Sequence, residues 1–365
     1  MTMPYESQPL HGAQLIASTA DEAYIHGDYV VCDSLIAQYE SRHPGRAELQ
    51  QLKGRSLLAQ GHYEAAIEAL DKALGYEQDL RTVYLLACAH AGLDCHEYVV
   101  ASIDDTLMQV IPEAAALRMR ALHRLGRLDE AITLGMQWHG HIQHGQDICG
   151  LLATILIDDG RSHEAHAYAE LAGDTYEGCV ANGILALDLT DYSSALLWFR
   201  HAIALQPRCG RARLGEGLCL LEYDNYAAAT LCFDQAAALL DGRACVWVAS
   251  AWVHLLNQAL PQARARFQRA CQADNGFAEA YGGLAIVCLY EGQVDHAMVY
   301  AEQAMRLDRE CLSGMLARSL LLMHSGATAA AQALRSKLVR HPMGRDGSGI
   351  ARQIARRAVR YSFAY

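Results

Sequence analysis

YEGCVANGILALDLTDYSSALLWFRHAIALQPRC, residues 176–209, is followed directly by GRARLGEGLCLLEYDNYAAATLCFDQAAALLDGR, residues 210–243, and the two align without a gap. Gly183, Tyr192, Ala195, Phe199 and Ala202 fall opposite Gly217, Tyr226, Ala229, Phe233 and Ala236, each 34 residues on. A fixed period of this size marks a repeat architecture, in which each unit buries its apolar face only by stacking on its neighbours. Small and apolar residues recur three and four apart within a unit, which is helical spacing.

The register extends in both directions. A small residue of the first helix falls at Ala20, Gly54, Cys88, Met119 (the one large side chain in the series), Ala153, Gly183, Gly217, Ala251, Ala285 and Ser319. The intervals are 34, 34, 31, 34, 30, 34, 34, 34 and 34. A second marker, at Cys32, Ala66, Val100, Ala131, Ala165, Ala195, Ala229, Ala263, Ala297 and Ala331, gives the same nine intervals. Small side chains at a helix crossing allow close approach, and ridge-into-groove packing then sets the angle. Phe199, Phe233 and Phe267 are expected to fill the space between successive hairpins. Gly61, Gly126, Gly160 and Gly292 should supply left-handed turn residues, and Pro44 and Pro207 mark where second helices stop.

Residues 47–80 carry the same spacing as Gly54, Leu57, Gly61, Tyr63, Ala66, Leu70 and Ala73. The pattern resembles the tetratricopeptide repeat family, whose unit is a pair of antiparallel helices. That resemblance implies an all-α, right-handed solenoid of helix hairpins. Ten repeats would cover residues 13–345, irregular at 81–111 and 146–175, where the short intervals fall. Residues 1–12 read as an N-terminal arm and 346–365 as a basic C-terminal capping helix. In the latter, Ile350, Ile354 and Ala358 form one stripe and Arg352, Arg356 and Arg360 another. Residues 345–365 hold five arginines and one aspartate, a charge of +4 in a chain of −11.

Composition narrows the function. With 52% hydrophobic and 19% charged residues the chain is not a disordered segment. Its 41 acidic residues against 30 basic ones oppose a nucleic-acid surface. The twelve cysteines are scattered without a Cys-x-x-Cys, and no lysine or arginine precedes Arg42 to form a secretory n-region. Reduced thiols and a cytoplasmic protein are therefore expected. The longest uncharged stretch, Ala244 to Ala263, contains His254, Asn257, Gln258, Pro261 and Gln262, which argues against membrane insertion. Arginine (27) far outnumbers lysine (3), a bacterial-looking bias.

No nucleophile elbow, phosphate loop, dinucleotide fingerprint or His-Glu-x-x-His appears, so neither an enzyme nor a cofactor is expected. The glycine-rich run Gly344–Gly349 lacks a lysine and reads as a joint. Two clusters have metal-ligand chemistry: Cys88, His90, Cys95 and His96, and His139, His141 and His144 with Cys149. Zinc requires four ligands converging on one point. Cys88, however, occupies the small packing position and Cys32 replaces an alanine, so buried thiols are expected and no metal. The 17 histidines are dispersed.

The family resemblance implies that first helices line an inner surface where peptides or helices bind. Transferring the register places Leu214, Leu218, Leu221, Val248, Trp252, Leu255, Ile286, Leu289, Tyr290, Leu316, Leu320 and Met323 there, with Trp252 as anchor. The competing reading is that some of them pack between helices. The N-terminal half offers polar candidates instead: Arg55, Arg120, His123 and Arg124, with Asp21, Glu48 and Gln51. Its first repeat presents Gln14, Ala17 and Asp21, unlike the basic and asparagine clamp of chaperone-binding members. The expected function is a non-catalytic adaptor or chaperone holding a protein or peptide partner. Shorter family members that serve secretion systems suggest a bacterial secretion link. The alternatives are a structural scaffold subunit, a homo-oligomer, or a peptide-sensing regulator.

Overall fold

The computed structural model describes residues 8–43, 45–140, 144–240 and 243–340. Among the described residues every element is an α-helix, 21 in all, and none is long and apolar enough to cross a membrane. The chain divides into two compact units, Met1–Ala172 and Gly173–Tyr365.

The first unit holds α1 (Gln8–Ile25), α2 (Tyr29–Glu40), α3 (Ala47–Gln60), α4 (Tyr63–Tyr76), α5 (Leu80–Gly92), α6 (His96–Ser102), α7 (Asp105–Val110), α8 (Glu113–Arg124), α9 (Leu128–Trp138), α10 (Gly145–Asp158) and α11 (Ser162–Ala172). The second holds α12 (Tyr176–Asp188), α13 (Tyr192–Leu205), α14 (Gly210–Glu222), α15 (Tyr226–Leu239), α16 (Ala244–Leu256), α17 (Leu260–Ala273), α18 (Ala278–Tyr290), α19 (Val294–Leu307), α20 (Leu312–His324) and α21 (Thr328–Arg340). Each unit is five hairpins. The first helix begins at Gln8 and so takes in residues 8–12, part of the span read as an arm. Residues 346–365, read as a capping helix, lie outside the described residues.

Every hairpin turns through one left-handed residue. Gly27, Gly61, Gly126, Gly160, Gly292 and Gly326 adopt φ of +72° to +82°, and Asp94, Thr190, Asp224 and Gln258 hold the same place at +56° to +60°. At Gly61 the turn closes the end of α3: Gly61 N donates to Leu58 O at 3.0 Å and His62 N to Leu57 O at 2.9 Å. These bonds satisfy carbonyls that the helix end would otherwise leave open.

The second-helix markers are all buried, as are nine of the ten first-helix markers; Cys88 alone is half-buried. Phenylalanines key consecutive hairpins together. Phe199 of α13 lies against Gly183 of its own hairpin and Gly215 of the next, where an added Cβ would come within 2.7 and 2.3 Å of the ring. Phe267 of α17 meets Gly283 of α18 in the same way, at 2.1 Å. At the next junction α18 and α20 touch backbone to backbone, since a Cβ on Gly282 would lie 2.4 Å from Gly314 N. Buried Glu279 on α18 completes that contact. Its Oε1 accepts from Leu312 N at 2.9 Å and its Oε2 from Ser313 N at 3.0 Å, and the Ser313 hydroxyl donates to the same Oε2. A carboxylate is thereby held at the positive end of α20.

The two shortened intervals have different causes. In the third repeat the second helix is broken in two: buried Ile103 turns extended, and Asp104 restarts the chain by accepting from Leu107 N at 2.8 Å. In the fifth, α11 stops after 11 residues, against 14 in α13, and Gly173 turns at φ +56° before Thr175 caps α12. The division between the two units falls at that short turn.

Candidate functional site

The first helices of the second unit carry the apolar residues assigned to a groove. Leu214, Leu221, Val248, Trp252, Leu255, Ile286 and Leu316 are buried in the core. Trp252 is 1% exposed and stands edge-on to Phe267, ring centroids 5.9 Å apart. These seven side chains therefore hold helices together and are not open to a ligand. The physical reason is that a first helix is flanked by its own second helix and by the preceding and following hairpins. In α16 this leaves no free face: from Ala244 to Leu255 only Cys245 is even half-buried. Spacings of three and four are then packing stripes on more than one side.

Five assigned residues remain accessible. Leu218, Leu289 and Leu320 are half-buried, while Tyr290 is 60% and Met323 45% exposed. Leu289, Tyr290, Leu320 and Met323 share the C-terminal ends of α18 and α20, the two helices in backbone contact. Leu320 packs against the core of the second unit.

The polar candidates of the first unit do not form one site. Arg55 lies over the Tyr24 ring, 4.4 Å from its centroid. Arg120 lies near Tyr84 and Cys88, where burial pushes both the phenol and the thiol up, with the Arg120 charge opposing. His123 Nε2 is 2.8 Å from Asp158 Oδ2, and Arg124 is exposed. The polar side chains on α3 reach across to α5, with Gln51 Nε2 donating to Asp79 Oδ2 at 2.8 Å and to Thr82 Oγ1 at 2.7 Å.

A part-buried network joins α15, α16 and α17 that sequence reading missed. Asp234 Oδ1 accepts from Ser250 Oγ at 2.6 Å and from Arg266 Nε at 3.1 Å, and His254 Nε2 lies 3.2 Å from Oδ2. Burial alone would raise the Asp234 carboxyl, but hydrogen bonds from His254 and Ser250 and the Arg266 charge outweigh it and hold it at about 2. Ser250 and Arg266 both engage the carboxylate directly, so the group ties three helices rather than activating the hydroxyl as a nucleophile. Ser250 and His254 are spaced i, i+4 on α16, which was the only sequence signal available.

Among the described residues neither sequence cluster with metal-ligand chemistry brings three ligand atoms together. His90 stacks on Tyr98 at 3.7 Å, and His96 Nε2 is 3.3 Å from Asp94. His139 Nδ1 lies 2.8 Å from Met136 O, the Cys149 thiol meets the His139 carbonyl at 3.8 Å, and His141 lies outside the described residues. All twelve cysteines are unpaired thiols.

Residues 47–80 and 278–311 match the sequence profile described as Tetratricopeptide repeat. No curated protein matches the sequence. Among solved structures the chain is similar to the APC/C hetero-tetramer Cut9–Hcn1, with a TM-score of 0.50, 12% identity, and coverage of 97% of this chain and 84% of that one. It is also similar to PilF of Pseudomonas aeruginosa (TM-score 0.46, 17% identity, 55% and 94% coverage). A third is YrrB, titled a TPR protein with an unusual peptide-binding site (TM-score 0.41, 15% identity, 50% and 97% coverage). At such identities the likeness is one of fold alone. The two profile matches mark residues 47–80 and 278–311 as similar to tetratricopeptide repeats, and the ten hairpins, each turned on a left-handed residue, give the described residues an all-α repeat fold.

Proposed function

We propose that the chain is a non-catalytic adaptor or chaperone that holds an amphipathic helix of a partner protein against the C-terminal ends of α18 and α20. The observation that carries this reading is the exposure of Tyr290 near the end of α18 and of Met323 near the end of α20, each within three residues of a half-buried leucine, Leu289 and Leu320. An exposed aromatic and a flexible thioether suit the anchors of a helix laid across them, because such recognition reads a few side chains at helical spacing. Trp252 gives up the anchor role to Tyr290. The bacterial-looking arginine bias and the unpaired thiols support a cytoplasmic setting, and delivery to a secretion system is the narrower form of the proposal.

The test is a photo-crosslinker placed at position 290 or 323, followed by mapping of the captured peptide. A helical segment of another protein is expected. Tyr290→Ala should weaken that association by about tenfold, on hot-spot precedent, with the melting temperature unchanged. Trp252→Ala is the contrast: it should lower stability by about 3–5 kcal/mol, as a large core truncation does. Crosslinks mapping only to a second copy of this chain would replace the adaptor with a homo-oligomeric scaffold.

A further inference from the structure

Asp174, Cys179 and His201 each place a ligand atom within 4.8 Å of the other two, across the first hairpin of the second unit. His201 Nδ1 and Asp174 Oδ1 are 3.8 Å apart, and their side chains are 42% and 80% exposed, while the Cys179 thiol is buried beneath them. We propose that these three residues bind one Zn²⁺ ion, with a fourth position left for water.

The repeat itself shows that this meeting is built in. Cys179 occupies the place taken by Trp247 and Tyr281 in later hairpins, and His201 the place of Arg269 and Gln303. Those pairs touch: the Arg269 guanidinium lies 5.8 Å from the Trp247 ring centre, and Gln303 hydrogen-bonds Tyr281. The two positions therefore face each other across the hairpin in the eighth and ninth repeats as they do here. Only here do they carry a thiol and an imidazole. The third ligand comes from the shortened fifth repeat, whose turn at Gly173 (φ +56°) sets Asp174 just before α12.

Geometry and chemistry both suit zinc. Bonds of about 2.3 Å to sulfur and 2.0 Å to nitrogen or oxygen put tetrahedral ligand atoms about 3.3–3.5 Å apart. The exposed Asp174 and His201 reach that by small side-chain rotations. A mixed sulfur, nitrogen and oxygen set is a borderline-soft set, which zinc accepts. Binding exchanges the Cys179 S–H proton, released to solvent, for an S–Zn bond, with no change of oxidation state. The ion would tie the turn at 173–175 to α13, next to the division between the two units.

The experiment uses tag-free full-length protein, stripped with chelator under reducing conditions and titrated with Co²⁺ as a spectroscopic stand-in. One equivalent should produce a near-ultraviolet thiolate-to-cobalt band and intense visible bands of a four-coordinate site, both bleached by Zn²⁺. Cys179→Ala should remove the charge-transfer band. His201→Gln, which installs the residue Gln303 shows the fold accepts, should weaken binding by about tenfold or more. Cys95→Ser, altering the exposed thiol, should leave the spectrum intact. Far-ultraviolet circular dichroism of each stripped variant reports folding, and the His201→Gln result decides if Cys179→Ala unfolds. No saturable band in the wild type, or a band that survives Cys179→Ala or His201→Gln, overturns the site.

Discussion

Replacing Gly283 by alanine tests the packing account where two effects oppose each other. Alanine favours a helix interior over glycine by about 1 kcal/mol, so on an open helix face Gly283→Ala would stabilise. Here the new Cβ would sit 2.1 Å from Phe267 Cε1 and 2.3 Å from Cζ. Ordinary carbon contacts begin near 3.5 Å, so the ring must withdraw by about 1.4 Å. It cannot do so freely, because Trp252 stands edge-on to it and both rings are fully buried. Overpacking of this kind costs about 1–3 kcal/mol. The top of that range applies to a pinned ring, and after the helix-propensity gain the net loss is about 1–2 kcal/mol. For a unit of this size each kcal/mol shifts the midpoint by about 2–4 °C, so a fall of roughly 2–8 °C is expected. Because the chain holds two compact units, differential scanning calorimetry is the assay of choice, since it separates transitions that a single probe merges. A double-mutant cycle with Phe267→Leu isolates the clash: the smaller side chain should make Gly283→Ala nearly neutral or favourable. A single Gly283→Ala variant that melts higher than the wild type would refute the close approach of α17 and α18.

Thr190→Gly should stabilise by about 1 kcal/mol, because a β-branched residue holds φ +60° there, and a lowered melting temperature would count against it. Asp234→Asn should flatten the acid limb of stability. A carboxyl depressed in the folded state adds stability above its unfolded value of about 3.9, and that contribution is lost as pH falls through about 2. Urea midpoints measured from about pH 5 downward should therefore fall less steeply in the variant; parallel slopes would remove Asp234 from the account. Glu279→Ala should destabilise by about 1–2 kcal/mol and speed hydrogen exchange at Leu312 and Ser313, whose amides lose their acceptor. Unchanged protection at those two amides would contradict the assignment.

The hairpins were readable because their signal is redundant. Small markers, turn glycines and phenylalanines all repeat at the same interval, so one misfit such as Met119 does not hide the period. Even the broken helix at Ile103 and the short α11 announced themselves as intervals of 31 and 30. What the intervals could not convey was the cause, because a broken helix and a short turn both remove three or four residues. The groove assignment failed at Val248 and Trp252 for a related reason. A side chain three or four places from its neighbour lies on a stripe, but the stripe does not say which flanking helix covers it. In α16 all of them are covered. The Asp234 network and the Asp174, Cys179 and His201 group were hidden for another reason: the partners of Asp234 lie 16 to 32 residues from it on other helices, and the members of the second group lie 5 to 27 residues apart, so that only the i, i+4 pair Ser250 and His254 has a local spacing.

The phenylalanine keys have a consequence for how such a chain can be lengthened or cut by recombination. Phe199 and Phe267 each leave one hairpin and end against a glycine of the next. The inherited module and the mechanical joint are thus out of phase by one helix. A duplicated or deleted hairpin carries its phenylalanine along but leaves the receiving glycine behind, in sequence that belongs to whatever follows. Successful exchanges must therefore cut between a second helix's phenylalanine and the next receiving glycine only when both sides match. The viable breakpoints are fewer than the visible period suggests.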